Sequence, residues 1–302
     1  MSLTIASPVV ASSIPLEKAI LAALTYSDVF DHPLKLAELH KFLGASATHS
    51  EIEECLSRME NITCLEGYYY LSHRPEIVKT RKHREAGSRT AFKRALFYGQ
   101  ILGRLPFVRM VALTGSLAML NLSVHRDMDF MLVAAPGRLW TARAFVLLFG
   151  RLARLFGDVI CPNIMISERA LIWDARDLYS AREFAQMIPV CGMETFQCLL
   201  SANSWVNDYL PNFQSPLLSE PRAGGRLQAF LEVFFNGILG DRFEVLEMSR
   251  KIARFQKQEG YGSETHFSAD LCQGNFDHHG AWVMNAYMER LNTFSVGMRR
   301  EQ

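Results

Sequence analysis

The chain has 302 residues, 49% of them hydrophobic and 21% charged, with a formal net charge of +1 at pH 7. That length exceeds the commonest single-domain size and predicts two or three compact units. The near-neutral charge excludes a global attraction to nucleic acid or to anionic membrane, so electrostatic recognition has to be local.

The opening MSLTIASPVVASSIP has neither a positive n-region nor a sustained apolar core, and reads as a loose tail rather than a signal peptide. No apolar run approaches the roughly 20 residues of a membrane helix, the most apolar stretch being AFVLLFG at Ala144 to Gly150. The six cysteines (55, 64, 161, 191, 198, 272) are scattered without a CxxC pair. Together these features predict a soluble cytoplasmic protein with reduced, mostly buried thiols.

From Leu16 to Tyr26 the apolar Ile20, Leu21, Ala23 and Leu24 fall at helical spacing, and DHPL breaks the pattern with a proline. Two short helices follow near Lys35 to Leu43 and Ser50 to Glu60, the second opened by Ser50 with Glu53 in capping-box spacing. ITCLEGYYYLS then reads as a hairpin about Glu66-Gly67. Three helices and a hairpin resemble a winged helix-turn-helix. Its charge opposes DNA binding: up to His73 there are four Lys or Arg against nine acids, and the second short helix region carries Glu51, Glu53 and Glu54. The sign then reverses, with nine Lys or Arg between Arg74 and Arg104 against Glu76 and Glu85. At helical spacing that stretch is either a solvated face or a basic wall beside a polyphosphate or RNA.

The centre of the chain carries the chemistry. VRMVALTGS reads as a strand entering a turn, and SLAMLNL as the first turns of a helix with Ser116 at or near its N-cap. Such a turn aims free backbone N–H groups and the positive helix end at one point, which favours a phosphate; Gly115 allows close approach and the Ser116 hydroxyl adds a donor. RDMDFMLV follows as a strand whose period of two turns Asp127 and Asp129 to the same side. Two like charges side by side are costly unless cations neutralise them, and hard carboxylate oxygens suit Mg²⁺.

A hydrophobic residue and Gly-Ser, ten residues, then Asp-hydrophobic-Asp resembles the signature of the polymerase beta-like nucleotidyltransferase superfamily, over roughly Phe107 to Ser167. The resemblance implies that Gly115 and Ser116 hold the outer phosphates of an NTP. It also implies that Asp127 and Asp129 hold Mg²⁺ (or Mn²⁺), and that a nucleoside monophosphate passes to an acceptor with release of pyrophosphate. Many members place a third carboxylate, a metal ligand and general base, on a later strand. Here that strand is VICPNIMIS, whose central polar residue is Asn163; Asp158 at its mouth is the other candidate. An amide cannot accept the acceptor's proton, so a catalytically inactive nucleotide-binding module is the alternative.

Arg126, before the Asp pair, and Arg143, in the following helix, are candidate triphosphate ligands, since guanidinium groups bind phosphate in a bidentate way. HFSADLCQGNFDHHG, from His266 to Gly280, collects metal-ligating residues at no zinc spacing and reads as a polar loop capping the last helix. Trp140, Trp205 and Trp282 read as core.

The expected fold class is α+β. Residues 1–73 form a winged-helix-like domain, 74–104 a basic helical linker, 105–180 a nucleotidyltransferase core of mixed β-sheet with helices, and 181–302 a helical domain containing the Pro- and Ser-rich loop Leu210 to Gly225. The expected partners are an NTP and an acceptor that is a small molecule, a protein or RNA, with no membrane. A nucleic-acid-binding protein using residues 74–104 is a further alternative.

Overall fold

The computed structural model describes residues 14–122, 127–215 and 225–300. The fold is α+β. The chain opens with α1 (Leu16–Asp28), β1 (Leu34–Lys35), α2 (Leu36–Lys41), α3 (His49–Leu56), β2 (Ile62–Leu65) and β3 (Tyr68–Leu71). The expected three helices and hairpin are all present. β1 joins the hairpin in the order β1-β3-β2. The hairpin turns on Glu66 and Gly67, both at positive φ, the backbone a two-residue turn needs to follow strand twist. The capping box of α3 lies two residues before the expected one. Thr48, in extended backbone, accepts from the Glu51 N–H, and the Glu51 carboxylate accepts from the Thr48 N–H at 2.7 Å.

The basic stretch is a single helix, α4 (Glu76–Leu102). It is not a free wall. Arg74 pairs with Asp28 and Asp31, Arg81 with Glu38, Lys82 with Glu66, and Arg84 with Asp31. Arg89 pairs with Glu85, and Arg94 with Asp158. The acidic start of the chain and the basic helix are therefore complementary surfaces that neutralise one another.

Beyond α4 run β4 (Val108–Leu113), α5 (Gly115–Ala118), β5 (Asp127–Ala134), α6 (Leu139–Arg154) and β6 (Val159–Ser167). They are followed by α7 (Leu178–Gln186), β7 (Ile188–Cys191), α8 (Met193–Ala202), α9 (Val206–Tyr209), α10 (Arg226–Phe234) and α11 (Ile238–Phe255). β8 (Thr265–Phe267), β9 (Leu271–Gly274) and α12 (His279–Arg300) complete the order. One six-stranded sheet has the order β7-β4-β5-β6-β9-β8. β5 lies inside it, antiparallel to β4 and parallel to β6.

The segment from residue 181 is not purely helical: β7 extends one edge of this sheet, and the β8–β9 hairpin the other. These strands have three or four residues each, too few for a period of two to stand out from a helical pattern. The hairpin occupies part of the expected polar loop. The start of α12 is instead capped by Glu264, whose carboxylate accepts from the N–H groups of Gly280 and Ala281.

Alternation along β5 divides the core. Met131 and Val133 face a cluster that includes Leu24, Leu39 and Ile52 near the N-terminus and Phe184 and Phe196 from α7 and α8. Met128, Phe130 and Leu132 face a second cluster beneath α4 and α6. The N-terminal helices thus share one apolar layer with the sheet. Asp28, buried at the end of α1, accepts from both Arg74 and Arg290, tying α12 to the same corner. All six cysteines are free, and Cys55, Cys191 and Cys272 are buried. Among the described residues no helix is long and apolar enough to cross a membrane.

Candidate functional site

β4 delivers Thr114 in extended backbone to a tight turn, and the Thr114 N–H donates to the Asp129 carbonyl at 2.9 Å. Gly115 then takes φ +65°, a left-handed backbone that disfavours any β-carbon. It is required a second time by contact: a Cβ here would lie 2.6 Å from Asp129 Oδ2. The turn and the Asp strand are pressed together. Thr114, not Ser116, is the N-cap of α5, and Ser116 is an exposed second residue of that helix.

α5 has only four residues, so it builds up little of the macrodipole expected of a full helix. What the turn offers an anion is its first-turn N–H groups, which no preceding helical carbonyl accompanies. The Thr114 hydroxyl adds to them, being buried without a hydrogen-bond partner.

Asp127 and Asp129 stand on the same side of β5 as Met131 and Val133. Asp127 is exposed and Asp129 half-buried. Burial pushes the Asp129 carboxyl up to about 6; a hydrogen bond from the Cys161 thiol opposes the rise and the Asp127 charge adds to it. The rise is chiefly that of a buried carboxylate, and a divalent cation would favour its ionised form.

The register of β5 and β6 sets Cys161, not Asn163, alongside Asp129. Asn163 falls between the Pro162 and Ile164 pairings, where the register shifts, so the bulge takes it out of the ladder. Burial, then the Asp129 charge, pushes the Cys161 thiol up to about 12. Asp158 is turned to α4, where it accepts from the Tyr98 hydroxyl at 2.6 Å and pairs with Arg94. Asp158 is therefore engaged by α4, and Asn163 has no cross-strand partner on β5.

Glu183 is the carboxylate that the sequence reading missed. It belongs to α7, whose neighbouring Ala181 and Phe184 pack in the layer over the Asp face. Burial and then the charge of Asp129 push it up to about 7, against a hydrogen bond of 2.6 Å from the Gln186 amide. Nothing in AREFAQ marks it, because the influence of Asp129 on it comes from how α7 packs on the sheet.

Arg143 belongs to α6, and its charge opposes the rise of the Cys161 thiol. The Arg143 side chain packs over the Trp140 and Phe255 rings, 5.2 Å from the Phe255 centroid, in the layer on the opposite sheet face. Arg126 lies outside the described residues. Trp140 and Trp205 are core side chains, whereas Trp282 is exposed. At the strand end that carries Asp127, a cleft of about 450 Å³ opens between α4 and β5, lined by residues including Arg84, Gly87, Thr90 and Met128.

Among the described residues no three His, Cys, Asp or Glu side chains form a metal-ligand group. Two carboxylates nonetheless fit Mg²⁺, which usually takes one or two from the protein and completes its shell with phosphate oxygens and water. No protein-family model, curated protein or solved structure matches the chain.

Proposed function

We propose that the protein is a Mg²⁺- or Mn²⁺-dependent nucleotidyltransferase that moves a nucleoside monophosphate from an NTP to an acceptor and releases pyrophosphate. The reading is carried by the contact of Asp129 with Gly115, which sets a carboxylate pair and a glycine turn at one point on one sheet face. It also accords with the resemblance of Gly115, Ser116, Asp127 and Asp129 to the polymerase beta-like signature.

The residues divide the work. The N–H groups of the Gly115 turn and the Thr114 and Ser116 hydroxyls receive the outer phosphates. Asp127 and Asp129 would hold the cation, which supplies neutralisation of the polyphosphate charge. The acceptor atom attacks the α-phosphorus in line, the bond from that phosphorus to the pyrophosphate oxygen breaks, and the acceptor's proton passes to Glu183. A carboxyl near neutrality suits that task, since it is both ionised often enough and basic enough.

Six of the nine cations between Arg74 and Arg104 already pair with acids, which weighs against a long nucleic-acid track along α4. A second reading, a nucleotide-binding module without chemistry, is favoured by one observation: Cys161 stands where a cross-strand carboxylate would face Asp129.

The test is to supply NTPs labelled at the α- or the γ-phosphate with a cell extract as acceptor pool. Transfer of the α-label alone supports the transferase. Binding without transfer of either label supports the module, and transfer of the γ-label sinks both.

A further inference from the structure

We propose that a second cleft, between the N-terminal helices and the Gly115 turn, binds the acceptor, a small molecule whose carboxylate or phosphate group pairs with Lys41. The acceptor role rests on the transferase reading above. The cleft measures about 240 Å³, below the roughly 300–1,000 Å³ that holds drug-sized ligands, so it suits a small molecule and not a stretch of protein or RNA. Its walls border the site already described. Ile188 pairs with Leu113, two residues before Gly115; Ala118 is the last residue of α5; and Gln186 donates to the Glu183 carboxylate.

Charge selects the ligand. Lys35, Lys41 and Arg81 line the cleft together with Glu38 and Glu85. Both carboxylates are already engaged: Glu38 accepts from Arg81 and from the Lys35 N–H, and Glu85 pairs with Lys35 and Arg89. The Lys41 ammonium has neither an ion pair nor a hydrogen bond among the described residues, and lies 5.5 Å and 5.7 Å from the Phe42 and Phe213 ring centroids. Ring faces attract a cation but do not neutralise it. Burial lowers the Lys41 pKa, and the charge of Glu38 offsets only part of that fall. Arg182, buried 4.6 Å from the same Phe42 centroid, donates to the Ala23 carbonyl and also lacks an acid partner among the described residues. Two desolvated cations without counter-ions favour an anion here, and a lysine serves carboxylate and phosphate alike as a point charge. Met119 and Leu120 supply an apolar wall for the rest of the ligand.

The test acetylates the lysines of the full chain with N-acetoxysuccinimide and reads each position by mass spectrometry, with lactate, glycerol phosphate or chloride present at equal ionic strength. One of the two organic anions is expected to slow acetylation of Lys41 about tenfold and to leave the exposed Lys93 unchanged, and the one that protects identifies the anionic group. Protection by neither beyond that of chloride overturns the proposal, and this arm needs no variant to fold. A second arm follows transfer of the NTP α-label to the protecting compound. Lys41→Gln is expected to raise the KM for that acceptor at least tenfold with the KM for the NTP little changed, and Lys41→Arg to restore most of the loss. An acceptor KM unchanged in Lys41→Gln also overturns the proposal. Protection with no transfer from any NTP, either to the compound or to a cell extract, keeps the anion site and removes its acceptor role, the failure then lying in the transferase reading.

Discussion

Asp129 Oδ2 lies 2.6 Å from the point that a β-carbon on Gly115 would occupy, so the turn and the carboxylate strand are fitted to each other rather than merely adjacent. Gly115→Ala has to move one of them. The expected cost is about 2–4 kcal/mol, combining left-handed strain with overpacking, and pyrophosphate release is lost with it. Gly137→Ala is the control, because Gly137 has φ +67° but nothing within 4 Å of its Cβ position. It is expected to lose only about 1–2 kcal/mol and to keep its activity. Urea midpoints and turnover of the two variants separate contact from strain; equal losses of activity would refute the fitted turn.

The raised Asp129 carboxyl sets a pH dependence. A carboxyl lifted to about 6 favours its protonated form in the folded chain, so that contribution to stability is present at low pH and is lost as pH rises through 6. Mg²⁺ needs the ionised form. The thermal midpoint of the metal-free protein is expected to fall over this window, and the Mg²⁺-induced rise in midpoint to grow over it. In Asp129→Asn the fall is reduced and the Mg²⁺ response disappears, with the fold intact. A Mg²⁺ response in the variant equal to that of the wild type counts against metal binding at this pair.

Glu183→Gln keeps the shape of the side chain and removes the base. The expected result is a fall in kcat of about 10²- to 10⁴-fold with KM for the NTP little changed, and loss of the activity limb that rises through pH 7. A variant with normal kcat and the same pH profile removes Glu183 from the chemistry and leaves it as a buried carboxyl of α7.

The junction between the acidic start of the chain and α4 rests on the Arg81–Glu38 pair, two parallel contacts of 2.7 Å with Arg81 buried. Burial raises the Glu38 carboxyl, but the Arg81 hydrogen bonds and charge outweigh it and hold the group below its ordinary range. Its contribution is therefore present at neutral pH and lost as pH falls through that lowered value. Glu38→Gln strands a buried guanidinium and is expected to cost about 3–5 kcal/mol by urea denaturation. Lys82→Gln, at the exposed pair with Glu66, is expected to change nothing measurable. Equal effects would mean that burial does not govern this junction.

What the sequence disclosed was local. The period of two in DMDFMLV and the Gly-Ser turn are properties of neighbouring residues; the strand formed as read, and the turn formed with its N-cap at Thr114 and only four helical residues behind it. The hairpin at Glu66-Gly67 was legible for the same reason. What it concealed depended on packing or register. The pairing of Asp129 with Cys161, and the bulge that leaves Asn163 without a cross-strand partner, are set by the register of β6 on β5, which no composition signal reports. Glu183 feels the charge of Asp129 from a helix whose own pattern is ordinary, and Asp158 is drawn away by a tyrosine 60 residues distant in sequence. The charge reversal at Arg74 was visible as a pattern. Its meaning, one surface neutralising another, required both surfaces to be placed.

The most direct test is pyrophosphate release from each of the four NTPs with Mg²⁺ or Mn²⁺, for the wild type and for Asp127→Asn/Asp129→Asn, in the presence of a cell extract. Nucleotidyl transfer at the Gly115–Asp129 contact predicts release by the wild type from at least one NTP and none above the extract's background by the double variant. Equal release by both proteins, or no release by a wild type that binds no NTP, would contradict it.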